Sequence, residues 1–277
     1  MADRVWLITG ASRGFGAEIS KAALAAGEKV VATARTMRGL QHLGPPHRNL
    51  LPELLDVTDE QQVRGAVHTA LAHFGHIDVL VNNAGISLLG AVEESSGVEV
   101  ERLFRTNVFG MLNVIRAVLP SMRQRRSGHI INLSSVAGYS AYEGFGVYSS
   151  TKFAVEGLSE ALHIELHPLG IHVSVVEPGF FRTDILDPDK SLIETAARIS
   201  DYAETAGAMR AAVPGYNHHQ PGDPLKLAQA LVELVNAGDP PLRLPLGSDT
   251  LTRMADKNAR VAQETTAWRA LAASTDY

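Results

Sequence analysis

Seven short apolar runs, rich in β-branched residues, alternate along this chain with longer amphipathic stretches, and that alternation narrows its fold more than any other feature. The runs fall at 4–9, 29–34, 50–55, 77–82, 129–133, 171–177 and 242–246. Helical periodicity fills 16–26, 59–73, 98–126, 146–167 and 224–236. A strand that is apolar at nearly every position needs cover on both faces, as parallel strands between two layers of helices have. Right-handed crossovers then wind the helices onto both sides. The expectation is an α/β, Rossmann-type, doubly wound parallel sheet of about seven strands. Pro52 lies inside the third run, where its missing N–H weakens that strand assignment.

The 277 residues suit one large α/β domain, 1–277, better than two small ones. No internal repeat, low-complexity run or linker divides them. Two segments depart from the alternation. Residues 180–223 form a long insertion ending in the turn-rich PGYNHHQPGDP. An insertion of that length in a compact domain is usually a lid or a binding loop, and a mobile substrate lid is expected here. Residues 248–277 form a C-terminal, helical extension.

The first run ends in Thr9-Gly10-Ala11-Ser12-Arg13-Gly14-Phe15-Gly16, and a helix follows. Glycines at such a turn let the backbone approach a pyrophosphate, while the helix N-terminus offers free N–H groups and the positive end of its dipole. The spacing is G-x-x-x-G-x-G rather than G-x-G-x-x-G. The end of the second run bears on cofactor choice. An acidic residue there would bind an adenosine ribose 2′-OH, whereas a basic one favours a 2′-phosphate. The chain reads Ala34-Arg35, with Arg13 available from the glycine turn. Two guanidiniums can make charge-assisted bonds to one phosphate, so NADP(H) is expected over NAD(H).

Composition removes several classes. With no cysteine, disulfides, thiolate catalysis and Cys-ligated zinc are excluded. A net charge of −5 argues against nucleic acid, whose phosphates require a clustered basic surface. No apolar run reaches the roughly 18–20 residues that span a bilayer, so no membrane partner is expected. The opening MADRVWLITG enters a strand without the apolar stretch of a secretory signal, and a cytoplasmic location is expected.

Tyr148-Ser-Ser-Thr-Lys152 opens a helix, and i, i+4 spacing puts both side chains on one face. A free tyrosine titrates near 10. A nearby ammonium would favour the phenolate and suit it to proton transfer. Taken together, TGASRGFG at 9–16, Asp56-Val57, Asn82-Asn83-Ala84-Gly85, Asn107, Ser134-Ser135, Tyr148 with Lys152, and Pro178-Gly179 resemble the short-chain dehydrogenase/reductase family in order and spacing. The resemblance runs to about residue 246.

The resemblance implies an oxidoreductase that moves a hydride between a nicotinamide cofactor and a carbonyl or alcohol. It implies Tyr148 as acid/base and Lys152 as holder of the nicotinamide ribose and depressor of the Tyr148 pKa. Ser135 would hydrogen-bond the substrate oxygen. Ser134 is the alternative, since side chains alternate near a strand end and only one should face the site. Asn107 would hold a water that links Lys152 to solvent. Asp56 and the Val57 backbone would take the adenine, although Asp56 could equally cap the helix near Asp59. Gly10, Ser12, Arg13, Gly14, Phe15, Gly16 and Arg35 would bind the cofactor, Phe15 by packing. Asn83-Ala84-Gly85 would lie along the cofactor, with Pro178, Gly179 and Thr183 near the nicotinamide.

Other signals weigh less. His163 and His167 share a helix face, but not in an H-E-x-x-H pattern, and no metal is expected. His218-His219 reads as a solvated pair. Arg123, Arg125 and Arg126 suit a helix C-terminus. Leu88, Leu89, Tyr139, Tyr142, Phe145, Phe180, Phe181, Ile185 and Leu186 follow strand ends and would line a pocket for a fairly apolar ketone or aldehyde. Two further functions compete: reduction of a β-ketoacyl group on an acidic carrier, and cofactor sensing without turnover. The stripes Val108/Leu112/Ile115/Leu119 and Phe153/Leu158/Leu162 read as core. The helices 98–126 and 146–167 are apolar on more than one face, and a homo-oligomer through them is expected.

Overall fold

A computed structural model describes residues 3–277. In chain order the strands are β1 (Val5–Ile8), β2 (Lys29–Ala34), β3 (Leu50–Leu54), β4 (Val79–Asn82), β5 (Ser87–Leu89), β6 (Gly128–Leu133), β7 (Ile171–Pro178), β8 (Leu192–Glu194) and β9 (Arg243–Leu246). The helices are α1 (Gly14–Ala25), α2 (Glu60–Phe74), α3 (Gly97–Phe104), α4 (Gly110–Arg125), α5 (Gly146–Leu166), α6 (Ala208–Tyr216), α7 (Pro224–Asn236), α8 (Ser248–Ala267) and α9 (Arg269–Ala273). All seven apolar runs enter one parallel sheet in the order β3-β2-β1-β4-β6-β7-β9. This is the doubly wound α/β architecture expected.

Strand alternation divides the core in two. Val5 and Leu7 pack with α2, α4 and α5 on one face, while Trp6 and Ile8 pack with α1 and α7 on the other. Val31 and Val30, then Leu80 and Val81, repeat the division on β2 and β4. Pro52 and Pro245 both sit on edge strands, each of which pairs on one side only. There a missing N–H costs no ladder bond. Asp59, not Asp56, caps α2 by accepting from the backbone of Gln61 and Gln62.

Chain order reverses at β1, with β2 on one side and β4 on the other. A crevice opens beyond the carboxyl ends at such a switch point. Thr9 and Asn83 close it. The Thr9 hydroxyl accepts from the N–H groups of Asn83 and Ala84, each at 3.0 Å, and Asn83 Nδ2 donates to the Thr9 carbonyl at 2.8 Å.

The expected helix 98–126 is interrupted. A π-turn at Arg105–Phe109 separates α3 from α4. Such turns add one residue to the helical circuit and recur at functional sites. Here it swings Asn107 toward the end of β4, and it is followed by Gly110. A Cβ at Gly110 would lie 2.6 Å from the Val57 side chain. No helix among the described residues is long and apolar enough to cross a membrane.

The insertion 180–223 has two parts. Its later part is fastened to the body. β8 pairs in parallel with β5, and the buried Glu94 carboxylate accepts from the N–H groups of Ala91 and Ile199, both at 2.8 Å, and from the Arg210 guanidinium. Arg210 and these N–H groups hold Glu94 down to about 2, against the opposing effect of burial. The earlier part, 184–191, touches the glycine turn instead.

Candidate active site

The crevice holds a cavity of about 420 Å³, within the range of small-molecule and cofactor sites. Its floor is the glycine turn. Gly10 and Gly14 have φ of +68° and +54°, a region costly for any residue with a Cβ. A Cβ on Gly10 would also lie 3.0 Å from the backbone of Ala84. Gly16 does not line the cavity. It lies beneath the turn, where a Cβ would meet the Gly10 carbonyl at 2.4 Å, so it permits α1 to pack against the sheet. No side chain caps the N-terminus of α1 and no acidic residue occupies its first turn. Its free N–H groups and dipole therefore favour an anion. This cradle fits a dinucleotide pyrophosphate.

Ser12, Phe15, Ala34, Arg35, Asp56, Val57, Asn83, Ala84, Gly85, Pro178, Gly179 and Thr183 also line the cavity. Arg35 lines it as well and is exposed. Arg13 is not free to join it. Its Nη2 donates to Ser191 Oγ at 2.9 Å and to the Lys190 carbonyl at 3.2 Å, and its Nε lies 3.7 Å from Asp184. The expected pair of arginines at one phosphate is thus divided: Arg35 stays at the end of β2, while Arg13 ties the glycine turn to the insertion. Asp56 turns one carboxylate oxygen onto the N–H and hydroxyl of Thr58, at 2.9 and 2.7 Å. The Val57 carbonyl accepts from Asn113 at 3.0 Å. Thr183 stands over Gly14.

At the other end, Ser134, Ser135, Tyr148 and Lys152 share the cavity wall. Ser135 starts a short 3-10 turn and its hydroxyl accepts from the Ala137 N–H at 3.1 Å. Burial pushes the Tyr148 hydroxyl up to about 12, while the Ser135 hydroxyl pulls it down. Lys152 does not bond the Tyr148 hydroxyl directly. The ammonium stands 5.8 Å from the Tyr148 ring centre and donates to the Leu133 carbonyl at 2.8 Å. Burial depresses Lys152 to about 8, opposed by Glu156 one turn along α5. Ser134 is buried on the side of Glu156 and Gly138, so Ser135 is the serine that faces Tyr148.

Asn107 lies outside the cavity wall. Its side chain clamps Ile86, accepting from the N–H at 3.0 Å and donating to the carbonyl at 2.9 Å, and it donates to Thr151 at 3.1 Å. None of these bonds reaches Lys152. The apolar lining is narrower than expected. Tyr142, Phe145, Phe180, Phe181, Ile185 and Leu186 are present. Leu88 and Leu89 are fully buried core instead, and the Tyr139 hydroxyl is bonded to Asn258 on α8. Phe181 is largely core as well, edge-on to Phe15 at 5.4 Å. Phe153, read as core, is exposed.

Sequence reasoning missed several contributors. Asp249 of α8 accepts from the Phe180 N–H at 2.7 Å and fixes the turn after β7. Arg102, Arg105 and Thr106 also line the cavity, and Ser191 and Gln220 reach it from the insertion. Nothing local marks these residues; they reach the cleft through the fold. His218 stands beside Asp187 at 3.8 Å. The cluster it forms with Asp184 and Asp187 already faces the Lys190 ammonium, at 3.3 and 3.5 Å from the two carboxylates.

Comparison with known proteins agrees with this architecture. The model of the short chain dehydrogenase family matches residues 4–192. A 3-ketodihydrosphingosine reductase of Bacteroides thetaiotaomicron is 38% identical over 248 residues, 89% of either chain. The crystal structure of a short-chain dehydrogenase from Streptomyces avermitilis is 41% identical, covers 100% of both chains and superimposes with a TM-score of 0.91. ElxO with NADP bound is 28% identical, over 91% of this chain and 100% of that one, with a TM-score of 0.72. With its glycine turn, its Ser135-Tyr148-Lys152 wall and a match across most of its length, this chain belongs to the short-chain dehydrogenase family of oxidoreductases.

Proposed function

We propose that the protein is an NADP(H)-dependent reductase of a fairly apolar ketone or aldehyde, or a dehydrogenase of the matching secondary alcohol. The observation that carries this reading is one cavity with Ser135, Tyr148 and Lys152 on one wall and Tyr142, Phe145, Phe180, Ile185 and Leu186 close by. Polar groups converge on a single point of an otherwise apolar lining, which is how a site orients a carbonyl within a hydrophobic molecule. The nicotinamide supplies or accepts the hydride when the cofactor is bound. Tyr148 gives its hydroxyl proton to the substrate oxygen in reduction, and Ser135 donates a hydrogen bond to that oxygen. Lys152 holds the ribose hydroxyls, and its ammonium favours the phenolate left on Tyr148. Asn107 acts by positioning Ile86 and the turn after β4.

Arg35 supports the NADP(H) preference, because no carboxylate stands with it at the end of β2 to accept a ribose 2′-OH. A protein that only sensed the cofactor would have no use for a proton donor facing the apolar wall. Reduction of an acyl group on an acidic carrier is less well supported, since this chain is itself net negative. The reading is tested by NADPH and NADH oxidation with a panel of ketones and aldehydes, long-chain 3-keto compounds among them. NADPH-dependent turnover of apolar members is expected; NADPH binding with no turnover across the panel would favour the sensor.

Two further features belong to this reading. Phe109, Phe153 and Ile164 are exposed on the second faces of the 98–126 and 146–167 helices and suit a homo-oligomer. Residues 184–191 act as the lid, held by Arg13 in this state. Amide exchange measured with and without NADPH is expected to separate the insertion. Residues 184–191 gain protection with cofactor, while 192–216, held by β5 and Glu94, stay equally protected. Equal, strong protection of 184–191 in both states would make the whole segment a rigid cap.

A further inference from the structure

Behind Lys152 lies a cluster of charge that the proposed reaction does not use. Glu156 follows Lys152 by one turn of α5, and Glu177 is the penultimate residue of β7, next to Pro178. Both side chains are buried, Glu177 completely. Neither carboxyl finds a hydrogen-bond donor for either oxygen among the described residues, and the Ser134 hydroxyl beside Glu156 is likewise unpaired. One guanidinium serves both. Arg243 Nε, on β9, lies 3.6 Å from Glu156 and 3.8 Å from Glu177, and its Nη2 is spent on the exposed Glu160 at 2.7 Å. The charged or titratable groups that face the pair are therefore Lys152 and Glu160 on α5 and Arg243 on β9. Ser134, just after β6, is the polar neighbour.

Two ionised carboxylates cannot occupy this place cheaply. Each would be buried without hydrogen bonds, and each would repel the other across a shared cation. Carboxyls in such a pair keep one proton between them. We propose that Glu156 and Glu177 share a single proton and act as positioning residues that set the charge standing behind Lys152. The inference rests on the reading of Lys152 as the residue that holds the cofactor ribose. Burial and the neighbouring charge of Glu156 raise Glu177, against Arg243. Burial raises Glu156, against Ser134, Arg243 and Lys152. Glu156 in turn favours the ammonium of Lys152.

A shared proton makes the two carboxyls unequal in their effect on Lys152. The pair carries one negative charge, divided between a near and a far position. Glu177→Gln leaves that charge wholly on Glu156, close to Lys152, and stabilises the ammonium. Glu156→Gln leaves it on Glu177, on β7 beside Arg243 rather than on the helix that carries Lys152, and destabilises the ammonium, which Glu156 alone of the two supports. Were both carboxyls ionised, neither substitution could bring negative charge nearer to Lys152.

The test has two arms. Infrared spectroscopy of the wild-type protein without cofactor reads the carbonyl stretch of a protonated carboxyl. A band is expected near neutral pH, lost on going to about pH 10 and absent from Glu156→Gln and Glu177→Gln alike, because a lone carboxyl beside Arg243 ionises. The second arm follows NADPH affinity against pH by cofactor fluorescence and needs no substrate. Affinity should fall as pH rises through the Lys152 transition. That fall moves to lower pH in Glu156→Gln and to higher pH in Glu177→Gln, by roughly 1 in pH each. No protonated-carboxyl band in the wild type, a band surviving in both variants, or shifts in the same direction would overturn the proposal. If a variant does not fold, the wild-type band and its loss with alkali still decide. A wild-type NADPH affinity that ignores pH would sink the assignment of Lys152, while the band would still report on the pair.

Discussion

Tyr148→Phe is expected to lower turnover by about 100-fold or more while NADPH still binds. The substitution removes one oxygen and keeps the ring that packs near Phe145, their centres 6.2 Å apart. The wall of the cavity is preserved, and Lys152 keeps its bond to the Leu133 carbonyl. What is lost is the proton that neutralises the alkoxide formed in reduction. Ser135 remains as a hydrogen-bond donor, but an aliphatic hydroxyl is a weaker acid than a phenol and does not replace that proton donor. The magnitude follows from the usual contribution of a positioned acid. The measurement is single-turnover NADPH oxidation with a ketone found in the panel, beside NADPH affinity by fluorescence. Near-normal turnover would remove Tyr148 from the reaction. A lost affinity would instead point to a damaged cofactor cleft.

The raised Tyr148 pKa also sets how each direction of the reaction responds to pH. In the arrangement described, burial holds the hydroxyl up to about 12, so it is protonated throughout the neutral range. That is the form reduction needs, whereas alcohol oxidation needs the phenolate. Oxidation should therefore gain as pH rises and reduction should not, and the ammonium of Lys152, depressed to about 8, limits how far that gain extends.

Arg35→Asp is expected to shift preference from NADPH toward NADH by about 1–3 kcal/mol, roughly 5- to 150-fold in the ratio of kcat/KM. The change removes a guanidinium from the end of β2 and puts there a carboxylate able to accept from a ribose 2′-OH. Because Arg13 is engaged with Asp184, Lys190 and Ser191, Arg35 carries more of the discrimination than two converging arginines would share. Arg13→Ala, which frees the insertion from the glycine turn, should then leave the NADPH/NADH ratio nearly unchanged and create no NADH preference. An unchanged ratio in Arg35→Asp would show that the phosphate is read elsewhere.

Much of this was legible in the chain because it is encoded over short distances. Continuous apolar runs require two covered faces, and all seven became strands of one parallel sheet. The glycine turn is a local conformation, so Gly10 and Gly14 could be read in place, whereas Gly16 proved to permit packing beneath the turn. The long helix was legible but its π-turn was not, since one extra residue in a helical circuit leaves no trace in the periodicity. β5 and β8 are three residues each, too short to produce a pattern.

The remainder depended on where side chains point and on what the fold brings near them. Two adjacent serines end the run at 129–133, and only the turn after β6 decides that Ser135 faces Tyr148 while Ser134 faces Glu156. Arg13 stands in the glycine turn, but its partners are 171 to 178 residues away in the insertion. Glu156 and Glu177 belong to a helix and a strand that give no hint of each other, and Arg243 joins them from a third element. The chain by itself determined the fold and the chemistry available, because hydrophobic period and backbone conformation are properties of neighbours. Which groups share a proton, an ion pair or a cavity was decided only by the tertiary structure, because electrostatic energy depends on separation in space and burial, not on separation along the chain.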